Sequence, residues 1–509
     1  MVKTKGSDSV KRSEGHLRIE VTVDRVKGVE QVVDALATLT LFRGFETILV
    51  NRRPWEIQNF AQLVCGDCAV AHGMAAVIAL DAASQTPVPP HVRLMRNLVL
   101  GANFIMSHVL HFYHFTLPDY VDGQVMPSWR PSANADKRIK GRAASTWVRT
   151  TTSAFDIRRK GLDTFLKNTG MGTFLGGPLG DPSTRFTDGF TALPKAELIT
   201  QFRTYLDELL PFIQGEYIND VHHLASVYPD YYSIGRGHGN LLAYGVFDLD
   251  ATGTSKLFKS GCSTQTASTV KRVDVSKITD QVTGSWHTHR ANNTALKSPG
   301  SNDLSWLKSP RYEGVSYEVG PLARMRINAD YLGGPSVMDR HVARAHEALK
   351  ICQAMRSWID QLKGEETGHI PRRAPISAVS CGLTETPRGA LGHWIHILKG
   401  KISRYQIITP TCWNASSRDS AGQRGSIEEA LIGTPVATTE EPTEVLRVIH
   451  SFDPCLSFDV HVLRPNEDVK VFALGHYQNK QGSDAQIKER SVHVASKESR
   501  EDHSYGAKS

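Results

Sequence analysis

Leu17, Ile19, Val21 and Val23 fall on alternate positions, and this period of two predicts a half-buried strand over residues 17–24. Residues 32–41 carry a second apolar run and are predicted to pair antiparallel with the first across a connection at 26–31. Helical patterning then takes over: residues 54–83 read as one helix and 89–113 as a second, and 196–225 are helical with acidic and apolar faces. Residues 338–363 form a strongly amphipathic helix that stops near Gly364, and shorter helices are expected around Glu428 and over 443–451. Between them, residues 123–189 are rich in Gly, Ser, Thr, Arg and Pro, with a helical stretch at 153–168 and a long loop at 170–189. Residues 228–244 read as a Gly-rich turn and strand. Its Gly235-Arg-Gly-His-Gly239 run lacks the lysine and following helix of a phosphate loop. A polar, strand-like excursion at about 250–330 returns to the core through residues 309–324. The sum is a mainly α fold with peripheral β structure, an α+β class.

Composition narrows the function. A length of 509 residues suggests about three domains as a soft expectation. The formal charge of +7 is spread among residues of both signs, and no Lys/Arg block marks a nucleic-acid surface. No apolar run approaches the ~18 residues of a membrane span. Residues 1–11 are charged and lack the apolar core of a secretory signal, so an export signal would have to belong to a partner. Seven cysteines, an odd number in a long chain, do not make a disulfide framework.

Two cysteine motifs at opposite ends carry the chemistry: Leu63-Val-Cys65-Gly-Asp-Cys68-Ala-Val-Ala-His72 and Asp453-Pro-Cys455-Leu-Ser-Phe458-Asp-Val-His461. Thiolates are soft ligands suited to nickel, zinc or iron–sulfur centres. On the helix expected at 54–83, Cys65 and Cys68 share one face with His72 a turn further on. If both motifs bind one metal, the two ends of the chain meet. Residues 1–474 then form a single interwoven unit, which overrides the length-based count. Cys262, Cys352, Cys381 and Cys412 read as small buried residues. His108, His111 and His114 at helical spacing read as members of hydrogen-bond networks.

The ordered set Arg12-Ser-Glu14-Gly-His16, Leu41-Phe-Arg-Gly-Phe-Glu46, Cys65-Gly-Asp-Cys68, Ser107-His-Val-Leu-His111, Glu318-Val-Gly-Pro-Leu-Ala-Arg324, Pro387-Arg388-Gly-Ala-Leu-Gly-His393-Trp394 and Asp453-Pro-Cys455 resembles the large, catalytic subunit of nickel–iron hydrogenases. The resemblance spans about residues 12–474 and is closest to membrane-associated uptake enzymes. It implies dihydrogen oxidation or evolution at a nickel–iron centre whose iron carries carbonyl and cyanide. Cys65 and Cys455 would be terminal nickel ligands, Cys68 a bridging ligand, and His72 would hydrogen-bond to the sulfur or cyanide region of the site. Glu14 would relay protons, and Arg388, paired with Asp453, would overhang the open metal position. Glu46 and His461 would hold a structural magnesium. Iron–sulfur clusters would lie in a small partner subunit, and a cytochrome b would serve as membrane anchor. Nickel-insertion chaperones and a maturation endopeptidase would act on the chain. The endopeptidase would remove an extension, here residues 462–509, of which the polar stretch from about 475 reads as disordered.

Two positions depart from the family pattern. Phe458 stands where the second bridging cysteine is expected, and Leu63 stands where an arginine is usual. Phe458 keeps open a second reading, a catalytically silent hydrogenase-like structural or sensory subunit. A quinone-binding relative in the respiratory complex I lineage would have lost the cysteines retained here. A structural zinc site of three Cys and a His is the plainest alternative.

Overall fold

The computed structural model describes residues 15–40, 43–122, 136–161, 196–265, 269–281, 285, 287–290, 293–296, 305, 307–362, 375–439, 441–464 and 470–473. The predicted loop at 170–189 and residues 474–509 lie outside this set, as does Glu14.

Strand β1 (His16–Val26) and strand β2 (Val29–Leu39) form the expected hairpin, but with a tighter turn than the pattern suggested. Val26 pairs with Val29, which leaves a two-residue loop, Lys27-Gly28, with both residues at positive φ (51° and 87°). Two-residue hairpin loops of that kind match the right-handed strand twist, and Gly takes the second position without strain. At the other end of the chain, β6 (Ser457–Leu463) pairs in parallel with β1, placing His16 opposite Ser457 and Thr22 opposite Leu463. Strand β7 (Lys470–Ala473) adds antiparallel to β6, giving the order β7-β6-β1-β2. The meeting of the two ends is therefore a strand pairing. The first residues beyond His461 belong to the same sheet, so cleavage after His461 would remove part of that pairing.

The long helix expected at 54–83 is two helices. A short 3₁₀ turn leads into α1 (Ile57–Gln62), and α2 (Ala69–Ser84) follows after a break that contains both cysteines. Helix α2 is rich in Ala and apolar on nearly every side, as a helix buried in a core must be. Helix α3 (Pro90–Leu110) runs into a π turn at His111–Thr116. Helices α4 (Gly141–Gly161), α5 (Ala196–Phe212) and α6 (Ile218–Val227) follow. Helix α7 (Val337–Asp360) begins on a capping box in which Ser336 and Asp339 bond each other's backbone N–H. Helix α8 (Thr443–Ser451) spans the predicted residues.

A three-stranded antiparallel meander, β3 (Ala378–Thr386), β4 (Gly389–Leu398) and β5 (Lys401–Ile408), has no counterpart among the elements expected from the pattern. It packs on α2 rather than lying at the periphery. The approach is so close at Gly382 that any Cβ there would collide with the Ala75 carbonyl. One apolar cluster contains side chains from Leu17 through Val462.

Buried charge ties α7 to this core. Arg324 bonds Glu347 at 2.6 and 2.7 Å and Glu385 at 2.8 Å, and all three side chains are fully buried. His108, on α3, completes the group at 2.8 Å from Glu347. Arg324→Ala would strip two buried carboxylates of the cation between them, leaving Glu347 only His108 and Glu385 only the Tyr244 N–H, and is expected to cost about 3–5 kcal/mol. A urea denaturation series would read this as a lower midpoint with an unchanged slope.

Candidate metal centre

The break between α1 and α2 presents the first two thiols. Cys68 is the N-cap of α2, with non-helical angles (φ −119°, ψ 27°), and its N–H donates to Cys65 Sγ at 3.3 Å. The two cysteines therefore sit on a turn rather than on the helix face expected from the pattern. The sulfur captures a backbone donor at the helix start, where the helix dipole favours negative charge. Arg43 holds the turn from outside by donating to the carbonyls of Leu63 and Val64 at 2.9 and 3.0 Å. Leu63, the position where arginine is usual, points largely to solvent.

The third thiol arrives from the turn between α8 and β6. Asp453 takes φ 56°, a left-handed conformation that Asp tolerates better than most residues. That turn swings Cys455 back so that its Sγ lies 2.7 Å from Cys65 Sγ and 3.8 Å from Cys68 Sγ. All three are buried, and among the described residues they are the one group of three or more His, Cys, Asp or Glu donors close enough to share a metal. A tetrahedral thiolate site with bonds of about 2.3 Å separates its sulfurs by about 3.8 Å. The Cys68–Cys455 spacing already has that value. Cys262, Cys352 and Cys412 are buried and Cys381 half-buried, and none joins the group.

Arg388 enters from the tip of the β3–β4 hairpin, where Thr386 pairs with Gly389. Gly389 has φ 137° and lies against Val319 and Gly320, so only glycine closes this turn. The guanidinium is clamped on one side: Nε donates to the Asp453 carbonyl at 2.9 Å, and Nη2 lies 3.1 Å from Asp453 Oδ1 and 3.5 Å from Asp67 Oδ2. Its Nη1 is buried with no hydrogen-bond partner among the described residues, and so is Asp453 Oδ2. Such orphaned groups beside three thiols are what a site built to receive a further group would leave.

Burial and mutual contact divide the thiols. Burial pushes Cys65 up, but hydrogen bonds from Cys455 and Cys68 and the Arg388 charge outweigh it and hold Cys65 well below the ordinary thiol range. Contact with Cys455 and Cys65, added to burial, pushes Cys68 well up, and contact with Cys65, added to burial, raises Cys455 to about 12 against the pull of Cys68 and Arg388. Burial raises Asp453 to about 6 against the pull of Arg388. Burial lowers His72 to about 4 and keeps it neutral.

A cavity of about 430 Å³ opens on the thiols and is lined by His72, Arg388, Glu46, Lys308 and Tyr405. Glu46 and His461, the pair expected to hold magnesium, have separate partners. Both Glu46 oxygens bond Lys308 Nζ at 3.0 and 3.1 Å, and one accepts the Ile407 N–H at 2.8 Å. His461 lies on β6, 3.3 Å from Asp459 Oδ2. A magnesium ion on Glu46 would have to displace the Lys308 ammonium.

Phe458 is packed into the apolar core on β6, opposite Leu17, and meets the His450 ring edge-on at 5.3 Å. His111 Nε2 donates to the His450 carbonyl at 2.7 Å, as a member of a hydrogen-bond network rather than a metal ligand.

The model of a nickel-dependent hydrogenase family matches residues 43–192, 180–333 and 330–461. The chain belongs to the nickel-dependent hydrogenase family. Among its relatives, the periplasmic [NiFeSe] hydrogenase large subunit of Desulfomicrobium baculatum is 35% identical over 90% of this chain and 94% of its own. The uptake hydrogenase large subunit of Bradyrhizobium diazoefficiens is 28% identical over 90% of this chain and 95% of its own. Among solved structures, the oxidized Ni-Fe-Se hydrogenase of D. vulgaris Hildenborough superposes with a TM-score of 0.78 at 33% identity, covering 84% of this chain and 94% of the other. The α+β fold and the large-subunit class of a nickel–iron hydrogenase follow from these matches.

Proposed function

We propose that this chain carries the hydrogen-splitting centre of a two-subunit nickel–iron hydrogenase, with Cys65, Cys68 and Cys455 as its protein ligands. The observation that carries the reading is the convergence of three buried thiols from opposite ends of the chain beneath a clamped arginine with one free N–H face. When bound, a nickel–iron centre with carbonyl and cyanide on its iron supplies the two-electron chemistry that splits dihydrogen. The protein's part is to hold, orient and move protons. The Arg388 Nη1 edge offers a fixed donor to an electron-rich group at the open side of the site. Asp453, raised to about 6, is poised to take or give a proton near neutral pH. Glu14 is assigned the next step of the proton path on the family pattern alone.

Electrons leave to an iron–sulfur small subunit, since among the described residues no second cysteine group is available to hold a cluster. Nickel-insertion chaperones and an endopeptidase acting after His461 belong to the same reading. So does a location on the periplasmic, extracytoplasmic face of a membrane, reached through the partner's export signal and held by a cytochrome b anchor, with a cytoplasmic location as the alternative. Among the described residues, no helix is long and apolar enough to cross a membrane. The magnesium reading at Glu46 and His461 takes no part in the mechanism.

The direct test is exchange of H2 with D2O by the chain matured together with its small subunit. Steady HD formation supports the reading. Its absence at full nickel occupancy supports the silent-subunit reading, which Phe458 favours by filling a bridging position with a core side chain. Phe458→Cys is expected to raise exchange per nickel. It is also expected to cost about 2–4 kcal/mol of stability, because it empties a packed aromatic site. The first effect is read by the exchange assay and the second by a denaturation midpoint.

A further inference from the structure

Two histidines outside the thiol cavity face each other across the packed pair of α6 and α7. His222 Nε2, on α6, lies 3.1 Å from His346 Nε2, on α7, and the ring centroids are 5.3 Å apart. His222 is exposed and His346 half-buried, so the pair sits at the solvent edge of the helix seam. The backbones beneath the rings are held in place. Val221 and Leu224 are buried on α6, and buried Ala345 and Glu347 flank His346 on α7. Glu347 belongs to the buried Arg324 group.

The meeting of the two rings depends on how α6 is entered. Pro211 lies inside α5 with no N–H to donate, and a π turn at Ile213–Tyr217 joins α5 to α6. A π turn carries about one residue more than an α turn, which rotates the face of the following helix by about 100°. Wound as plain α-helix, the same residues would carry His222 off the seam by about that angle.

Two N–H groups cannot point at each other across 3.1 Å, so at least one Nε2 presents a lone pair to the other. The shared proton stands where a cation would sit. With metal–nitrogen bonds of about 2.0–2.1 Å, nitrogens 3.1 Å apart subtend about 100° at the ion, between the square-planar and tetrahedral angles. A small pivot of the rings aims both lone pairs at that point. Imidazole nitrogen suits zinc, copper and nickel, whereas magnesium and calcium want oxygen. Among the described residues no third His, Cys, Asp or Glu donor is close enough to join the pair, so water would complete the shell.

We propose that His222 and His346 form a surface site for a late first-row divalent cation, with Zn2+ as the test ion, and that the bound ion clips α6 to α7. The site is independent of the thiol cluster. With two protein ligands its ion is exchangeable, unlike one held by a full thiolate set.

The experiment is a calorimetric titration of the full chain with Zn2+, read after a first equivalent has been added to fill the thiols. The wild type is expected to show one further site. His222→Asn and His346→Asn are each expected to weaken that site by about tenfold or more. His223→Asn alters a ring that lies edge-on to Trp147 at 5.4 Å instead, and is expected to leave the site unchanged. Because the ion binds only where the two helices are packed, Zn2+ is expected to raise the thermal midpoint of the wild type and of His223→Asn more than that of the other two. His222→Asn changes an exposed side chain, and circular dichroism checks that it folds. No further site in the wild type, or an equally strong one in folded His222→Asn, would overturn the proposal and leave the pair as a hydrogen bond between helices. Failure of the thiols to take the first equivalent would count against the metal-centre reading alone, because the His222-dependent step is read by difference between variants.

Discussion

Cys455→Ser is expected to lower the nickel affinity of the chain by more than about a hundredfold. A hydroxyl is a hard donor that stays protonated at neutral pH, and a soft metal gains little from it. Partners that merely orient a ligand are already worth about 10–100-fold in metal affinity, so a direct ligand is worth more. The loss is severe here because the site has three thiols and no spare. Phe458 occupies the position from which a fourth would come, and Cys412, which lines the same cavity, is bonded to Thr409 instead. Cys455 also touches both other sulfurs. Cys412→Ser, by contrast, is expected to leave nickel content unchanged. Metal analysis of the two variants after identical maturation makes the comparison. Equal nickel in wild type and Cys455→Ser would mean that the thiol cluster is not the nickel site.

Arg388→Lys is expected to leave nickel and iron in place and to lower hydrogen turnover per nickel by about a hundredfold, or about 2.7 kcal/mol of barrier. Lysine keeps the charge but replaces a rigid fork with a single point donor. The arginine uses Nε on the Asp453 carbonyl and Nη2 on the Asp453 carboxylate, which leaves Nη1 buried and without a partner among the described residues. An ammonium can satisfy the clamp or reach into the site, but it does not hold both positions at once. Asp453→Asn removes the charge partner while keeping much of the shape, and is expected to have a smaller effect. Dye reduction by dihydrogen, normalised to nickel, measures both. An unchanged rate in Arg388→Lys would remove the guanidinium from the mechanism.

How much of this was legible in the chain depended on how regular each signal was. The β1–β2 hairpin was read from strict alternation, and α7 and α8 from helical periodicity that survives in the finished fold. The convergence of Cys65, Cys68 and Cys455 followed from soft-ligand chemistry at both ends. The meander was missed because β4 is buried along most of its length, so its alternation disappears into a continuous apolar run. A signal was present in the turn pairs Pro387-Arg388 and Lys399-Gly400, spaced as hairpin loops between β-branched stretches. Helical spacing of Cys65 and Cys68 misled because the sulfur itself competes for the backbone N–H that would have continued the helix. The contacts of Lys308 with Glu46 and of His72 with His393 join residues hundreds of positions apart, and no local pattern encodes them.

The nickel–iron centre proposed on the three thiols has a distinct chemical signature. It is tested most directly by nickel and iron content together with infrared spectroscopy on the chain matured with its small subunit. About one nickel and one iron per chain are expected, with bands from carbonyl and cyanide. Zinc in place of nickel, or no metal and no bands, would contradict it and leave a hydrogenase fold without hydrogenase chemistry.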